Sequence, residues 1–403
     1  MFTSIKKISI SILLCFLLFP TNIAIASEEK IKDVLLSSGF ENILIEKNNN
    51  KYTISYENRT FIHELSALSY ILKNLKNLIN KESILDIYIQ SSGQAILNIK
   101  LTYSDYLDFI DEKIDEKTFY NKISLNTNPN LNANSKIENS SFLHTDISLS
   151  PSYLIDGTKG PYINLSPAIN TFFNNGFDLY LRGVTPVYSL ENNFDFAKNF
   201  DFIKPQLRNA HITYFNSIKN TNIYTAFRLG EKSNLFNYSL FLSNDTSMNI
   251  FDGLLSLNLA TGVIYHLNDK STTFSIIPSL NVYYGDWDIL AEIGGGKYLG
   301  NSYGIFTKLV RQFDFADLGF SVTKTFGEYN GSMLAFDFKI YLGPEKTNNA
   351  APLRFTLSKP FSGNLFTGNS VALLNPSTDL RDYIKRLYPE YIRTHLYYLK
   401  QSN

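Results

Sequence analysis

The sequence predicts a mainly β chain: an antiparallel transmembrane β-barrel of about twelve strands, preceded by a small α+β domain on the periplasmic side. Three observations lead there. The N-terminus has the layout of an export signal. From residue 141 onward, apolar and polar residues alternate with period two in runs of about nine to twelve residues, the length of a tilted strand that crosses a bilayer. Phe and Tyr are heavily used, with 31 and 26 residues against one Trp and three Met. Such rings suit both pleated strands and the aromatic girdles of a membrane barrel.

In the export signal, Lys6 and Lys7 form a basic start and Ile8 to Phe19 a short apolar segment. Ala24-Ile25-Ala26 fits the small-residue cleavage pattern, so cleavage is expected after Ala26, with Ser27 opening the mature chain. Residues 1–26 are thus read as a signal peptide. The one cysteine, Cys15, lies within the apolar segment, which leaves the mature chain without a thiol for a disulfide or a metal site. The formal charge of the whole chain is zero, and nothing in it suggests nucleic acid as a partner. No apolar run of about twenty residues follows residue 27, as a helical span would require.

Residues 27–120 carry mixed helix and strand patterns. Ile31, Val34 and Leu35 share helical spacing, and Gly39 follows as a stop. Asn42–Glu46 and Lys51–Tyr56 read as strands joined by Asn48-Asn49-Asn50. Phe61, Leu65, Leu68, Leu72, Leu75 and Ile79 then form one helical stripe, with Thr60 as the expected N-cap. Ile84–Gln90 and Ala95–Thr102 read as strands around Ser91-Ser92-Gly93, and an acidic helix is expected from about Ser104 to Asp115. Residues 121–140, rich in Asn, read as a polar linker.

The barrel is expected over residues 141–358. Leu255-Ser256-Leu257-Asn258-Leu259 alternates cleanly, and so does Leu334 to Leu342. Asp156-Gly157, Asn174-Asn175-Gly176, Asn268-Asp269, Gly285-Asp286 and Tyr329-Asn330-Gly331 supply the turns. If the apolar side meets lipid, Arg182, Arg228, Asp337 and Lys339 point into the lumen, because Arg or Lys on the lipid face costs about 2 to 4 kcal/mol at the midplane. Residues 359–403 form a partly helical extension. There Leu380, Tyr383, Ile384 and Leu387 read as an amphipathic helix broken by Pro389, with Tyr391 to Lys400 resuming, and the segment is expected in the periplasm or against the barrel mouth.

Catalytic signatures are sparse. His63-Glu64 begins like a zinc-protease motif but lacks the second histidine, so His63 reads as a helix-surface residue. Gly294-Gly295-Gly296-Lys297 lacks the Ser or Thr and the helix of a phosphate loop and reads as a bend beside a strand. Asp286-Trp287-Asp288 sits in a turn, and no Gly-x-Ser-x-Gly elbow occurs. The chain is therefore expected to be non-enzymatic, without cofactor or metal.

Several short stretches resemble the YjbH/GfcD-type exopolysaccharide proteins. They are Gly39-Phe40-Glu41-Asn42 leading to Tyr56-Glu57-Asn58-Arg59, Pro205-Gln206-Leu207-Arg208 with Tyr214, and Glu292 to Gly304 followed by Leu309-Val310-Arg311-Gln312-Phe313. The resemblance implies an outer-membrane β-barrel with a periplasmic domain, a single-barrel form of a family whose larger members carry two. It also implies a role in exporting or assembling an exopolysaccharide, with outer-membrane lipid, polysaccharide and export-machinery proteins as partners. A general porin or solute channel is the alternative, and an outer-membrane glycan or lipid hydrolase a further one.

Overall fold

The computed structural model describes residues 28–131, 137–142, 144–156, 160–173, 175–189, 206–218, 221–233, 238–298, 300–313, 316–328, 330–340, 353–356, 361–368 and 386–400. The expected signal peptide, its cleavage pair Ala26 and Ser27, and Leu380 to Ile384 lie outside them. Two sheets organise the chain, one of five strands and one of fourteen.

The small sheet runs in the order β1 (Glu41–Asn48), β2 (Lys51–Glu57), β3 (Ile84–Ser91), β4 (Gln94–Thr102) and β5 (Ser124–Asn126). All neighbours are antiparallel except β2 and β3. A parallel pair needs a crossover, and helix α2 (Glu64–Asn74) supplies it. Helix α1 spans residues 28–37. Ser92 and Gly93 both have positive φ, so the two-residue loop between β3 and β4 has the sign pattern whose twist suits a hairpin. Ile54, Leu85, Ile87, Leu97 and Leu72 are fully buried between sheet and helix.

Helix α2 is shorter than its apolar stripe. The Asn58 side-chain oxygen accepts from the Thr60 and Phe61 amides at 3.1 and 2.9 Å, an Asx turn that holds both residues out of the helix. The N-cap position therefore falls to His63, not Thr60. His63 is buried and stacks on Tyr398 at 4.8 Å, so it is not the surface residue that the pattern suggested. The expected acidic helix ends early, as α3 (Tyr103–Ile110), and a further helix, α4 (Glu116–Lys122), follows it, capped by the Asp115 side chain through the Thr118 amide at 2.7 Å. Helix α4 and strand β5 also reach into the expected linker.

The large sheet is a meander. Its strands are β6 (His144–Asp156), β7 (Gly160–Phe172), β8 (Phe177–Ser189), β9 (Gln206–Ile218), β10 (Ile223–Ser233), β11 (Tyr238–Ile250) and β12 (Leu255–His266), then β13 (Thr272–Tyr284), β14 (Ile289–Lys297), β15 (Ser302–Gln312), β16 (Ala316–Gly327) and β17 (Gly331–Ile340). Each of these pairs antiparallel with the next. Strand β19 (Phe361–Gly368) pairs antiparallel with β17 and parallel with β6, and β18 (Leu353–Thr356) pairs parallel with β6. Leu353 meets Thr145 and Ser362 meets Ser152, so β18 and β19 lie end to end along β6 with registers two residues apart. Described in this way the sheet has thirteen antiparallel positions rather than about twelve, and β19 lies beyond the expected limit at residue 358.

The α+β domain and the C-terminal segment meet one edge of this sheet, which we call proximal. Gly176 donates to the Ser92 carbonyl at 2.7 Å. The Gln94 amide donates to the Phe215 carbonyl and accepts from the Ser217 amide, both at 2.9 Å, so one side chain continues the β9 edge. Tyr224 of β10 donates to the Thr127 carbonyl. Helix α5 (Pro389–Thr394) and a 3-10 turn over Leu396–Leu399 fill the remaining gap. Pro389 does not break a helix there: it opens one at N1, where its missing N–H costs nothing. Leu387, Tyr388, Ile392, Leu396 and Leu399 are buried in the same core as α2, and Tyr391 packs on Tyr283 of β13.

Candidate functional site

Pairing register sorts the residues of the large sheet onto two faces of opposite chemistry. In strands the side-chain period is two, so residues paired across neighbouring strands share a face. One face carries Leu229, Ile293 and Ile305, which stand 64, 59 and 63% exposed, and the other carries Asn281, Ser302 and Thr325 at 1, 0 and 0%. On β13 the apolar set is Phe274, Ile276, Pro278, Leu280, Val282 and Tyr284, whereas Ser275, Ser279 and Asn281 point the other way. This inverts the order of a water-soluble protein.

The buried polar face is largely built from short neutral side chains. Ser247, Asn258 and Ser279 are aligned across β11 to β13, as are Asn249, Ser256 and Asn281. Ser279 donates to Glu292 at 2.7 Å, and Ser239 meets His266 at 3.0 Å. Gly294 lies between Ser279 and Phe306, and a Cβ there would fall 2.7 Å from the Phe306 ring, which explains a glycine at that point better than a phosphate loop does.

All four residues expected to line the lumen fall on this polar face. Arg182 is paired with Asn209 and donates to Ser166 at 3.1 Å. Arg228 is paired with Thr213 and Ser243. Asp337 is paired with Gly319 and meets Lys308 at 3.7 Å, and Lys339 is paired with Asp317. They do not form one cluster, since Arg182 and Arg228 stand on β8 and β10 and the other two on β17. Sequence reasoning missed Arg208, Lys232, Lys308, Asp317 and Arg354. Alternation around Thr307-Lys308-Leu309 marks Lys308, but Arg208 sits at a register shift and carries no periodic signal.

An ion network ties the α+β domain to the strands that pair in parallel. Arg354 on β18 reaches Asp146 of β6 at 2.6 Å and Glu41 of β1 at 2.9 Å. Glu41 also meets His144 at 2.9 Å and Arg59 at 3.3 Å, and Arg59 holds Glu57 at 2.5 Å while lying 3.2 Å over the Phe172 ring. Burial alone would raise the Glu41 carboxyl, but the His144 hydrogen bond and the Arg59 and Arg354 charges outweigh it and bring it down to about 2. Arg386 holds Asp317 at 2.9 Å at the same edge.

Among the described residues, no three His, Cys, Asp or Glu stand together as a metal would need, and no helix is long and apolar enough to cross a membrane. No protein-family model matches the chain, and no curated protein matches it.

Proposed function

We propose that the chain is an outer-membrane β-barrel, with its α+β domain in the periplasm, that assists export or surface assembly of an exopolysaccharide without catalysing a reaction. The observation that carries the membrane assignment is the inverted polarity of the large sheet. Fully burying one Leu, Ile or Phe is worth about 1.5–3 kcal/mol, and a soluble sheet would not forgo this across a whole face. Lipid removes the conflict, since the apolar side chains meet hydrocarbon and the Ser/Asn face turns inward.

Two further features support this reading. On β13 the exposed rings of Phe274 and Tyr284 bracket the apolar run, ten residues apart. At about 3.4 Å per residue and a tilt near 40°, that is about 26 Å of height, close to the apolar band of a membrane barrel. Exposed Tyr238, Tyr303 and Phe326 stand near the Phe274 level, and exposed Phe251 and Trp287 near the Tyr284 level, like two girdles. In addition, β6 is hydrogen-bonded on both sides, to β7 and to β18 and β19, which leaves it no free edge.

The polysaccharide role rests on the resemblance to the YjbH/GfcD-type proteins and on an inner face of hydroxyl and amide groups, which match sugar hydroxyls in hydrogen-bonding capacity.

The test is fractionation of cells producing the full chain, with gel migration of the extracted protein before and after boiling, followed by the surface polysaccharide of a deletion strain. Outer-membrane recovery, faster migration unboiled and loss of surface polysaccharide are expected. A freely soluble protein would overturn the barrel, and an unchanged polysaccharide coat would overturn the export role.

A further inference from the structure

If the large sheet is a barrel, its proximal edge is a mouth, and inward side chains around that mouth are covered. Phe172, Phe215, Tyr224, Tyr283, Leu290 and Asp317 lie on the polar face by register, near the proximal ends of their strands, and all six are buried. Two parts of the chain cover them. On the side of β6 to β10 it is the α+β domain. The Arg59 guanidinium lies 3.2 Å over the Phe172 ring, Phe215 and Tyr224 belong to the domain's own core, and the Gln94 amide is bonded to the β9 edge.

On the side of β11 to β16 the cover is the C-terminal segment, residues 386–400. Tyr391 packs with Tyr283 and Leu290 in one apolar cluster. At the turn between β11 and β12 the approach is so close that a Cβ on Gly253 would fall 2.3 Å from the Cβ of Tyr388. Arg386 holds Asp317 at 2.9 Å, Arg393 holds Asp286 at 3.2 Å, and His395 lies 3.3 Å from Asp288.

The segment is held differently on its two sides. It joins the α+β domain through a continuous apolar core that includes Leu387, Ile392, Leu396 and Leu399, and Ser69 donates to the Leu399 carbonyl at 2.9 Å. Toward the sheet it is fastened by the three aspartates around the Tyr391 contact. Asp286 and Arg393 are 67 and 41% exposed, so water screens that pair. Arg386 and Asp317 are only 12 and 8% exposed, which makes theirs the pair whose loss matters most. Pulling the apolar core apart exposes its whole area to water, whereas ionic groups that separate are hydrated again, so the sheet side parts first.

We propose that residues 386–400 are a strap that closes the β11–β16 half of the proximal mouth, and that it opens by letting go of Asp286, Asp288 and Asp317 while staying on the α+β domain. The α+β domain is the fixed half of the closure. This inference rests on the barrel reading and adds a gate to it, at the mouth that faces the periplasm.

The experiment uses the full chain folded in detergent micelles and placed in planar lipid bilayers, with gel migration before and after boiling run on every sample. The parent is expected to be shut, with rare brief openings. The double variant D286N/D317N should raise the open fraction by about ten-fold or more, because it removes the buried pair, and D286N alone should raise it less. D286N is the test if the double variant does not fold. A lock separates movement of the strap from damage to the barrel. A Cβ on Gly285 would lie 2.7 Å from the Thr394 methyl carbon, so the pair G285C/T394C is placed to form a disulfide across the contact. Added to the open variant, it should return the open fraction to the parent level when oxidised and release it when reduced. A parent that is heat-modifiable yet steadily open, variants no more open than the parent, or a formed disulfide that leaves the open variant open would overturn the strap while the barrel stands. A sample whose migration ignores boiling would overturn both.

Discussion

Replacing Glu41 by Gln tests whether the ion network holds the α+β domain on the sheet. Glu41 is buried, accepts from His144, and faces Arg59 and Arg354. Its carboxyl titrates near 2 in the folded chain against the usual 4.5, a gap worth about 3 kcal/mol of stability. Because the folded value is the lower one, this contribution is complete above about 4.5 and is lost as pH falls from there towards 2. Gln keeps the shape and removes the charge, leaving two buried guanidinium groups short of a partner, a loss of about 3–5 kcal/mol when a buried pair is broken. The assay is urea titration of the detergent-folded protein with hydrogen exchange read on β1 and β2. At pH 7 the variant should protect those amides about 3 kcal/mol less than the parent, and the difference should shrink as pH drops below 4.5. Equal protection at pH 7, or the same difference at pH 3 as at pH 7, would refute the network as the clamp.

Three further outcomes follow from the geometry. Ile293→Lys, on the apolar face midway along β14, should cost about 2–4 kcal/mol in urea titrations from lipid vesicles; a loss below about 0.5 kcal/mol would place that face in water. Gln94→Ala removes two hydrogen bonds to β9, and hydrogen exchange at Ser217 should rise by about ten-fold, whereas unchanged exchange would mean that the side chain does not hold the edge. Leu396→Ala hollows the core shared by α2 and the C-terminal segment and should lower the stability of the α+β domain by about 2–5 kcal/mol in thermal or urea unfolding, while unchanged stability would detach that segment from the core.

How far the sequence reveals this structure depends on the range of the forces involved. Alternation is local, and Arg182, Arg228, Asp337 and Lys339 share the polar face with their cross-strand partners, because a strand's side chains take their faces from the backbone pleat alone. The helix stripe from Phe61 to Ile79 was equally visible, yet Asn58 cut it short at the front through two side-chain hydrogen bonds that no periodicity encodes. Pro389 reads as a breaker in the sequence, yet its position at the start of α5 makes it an opener. His63 looks like a surface residue until Tyr398, 335 positions later, lies on its ring. Arg208 is the strongest case. It sits at a one-residue pairing fault between β8 and β9, and pairing between strands cannot be read from either strand by itself.

The parallel contact between β6 and β19 follows from counting. In a meander each strand reverses the one before it, so the first and last run the same way whenever the number of positions is odd. Here β6 opens the run, β17 is its twelfth member, and β19 adds a thirteenth that pairs antiparallel with β17. It can meet β6 only in parallel, as it does. Parallel pairing is slightly weaker per residue, and this contact is further divided between β18 and β19 with a two-residue shift in register. Arg354 lies on this junction, bonded across the strands to Asp146 and out of the sheet to Glu41. The α+β domain is thus a clamp on the parallel junction of the large sheet, which accounts for a buried ion network at this point of the proximal edge.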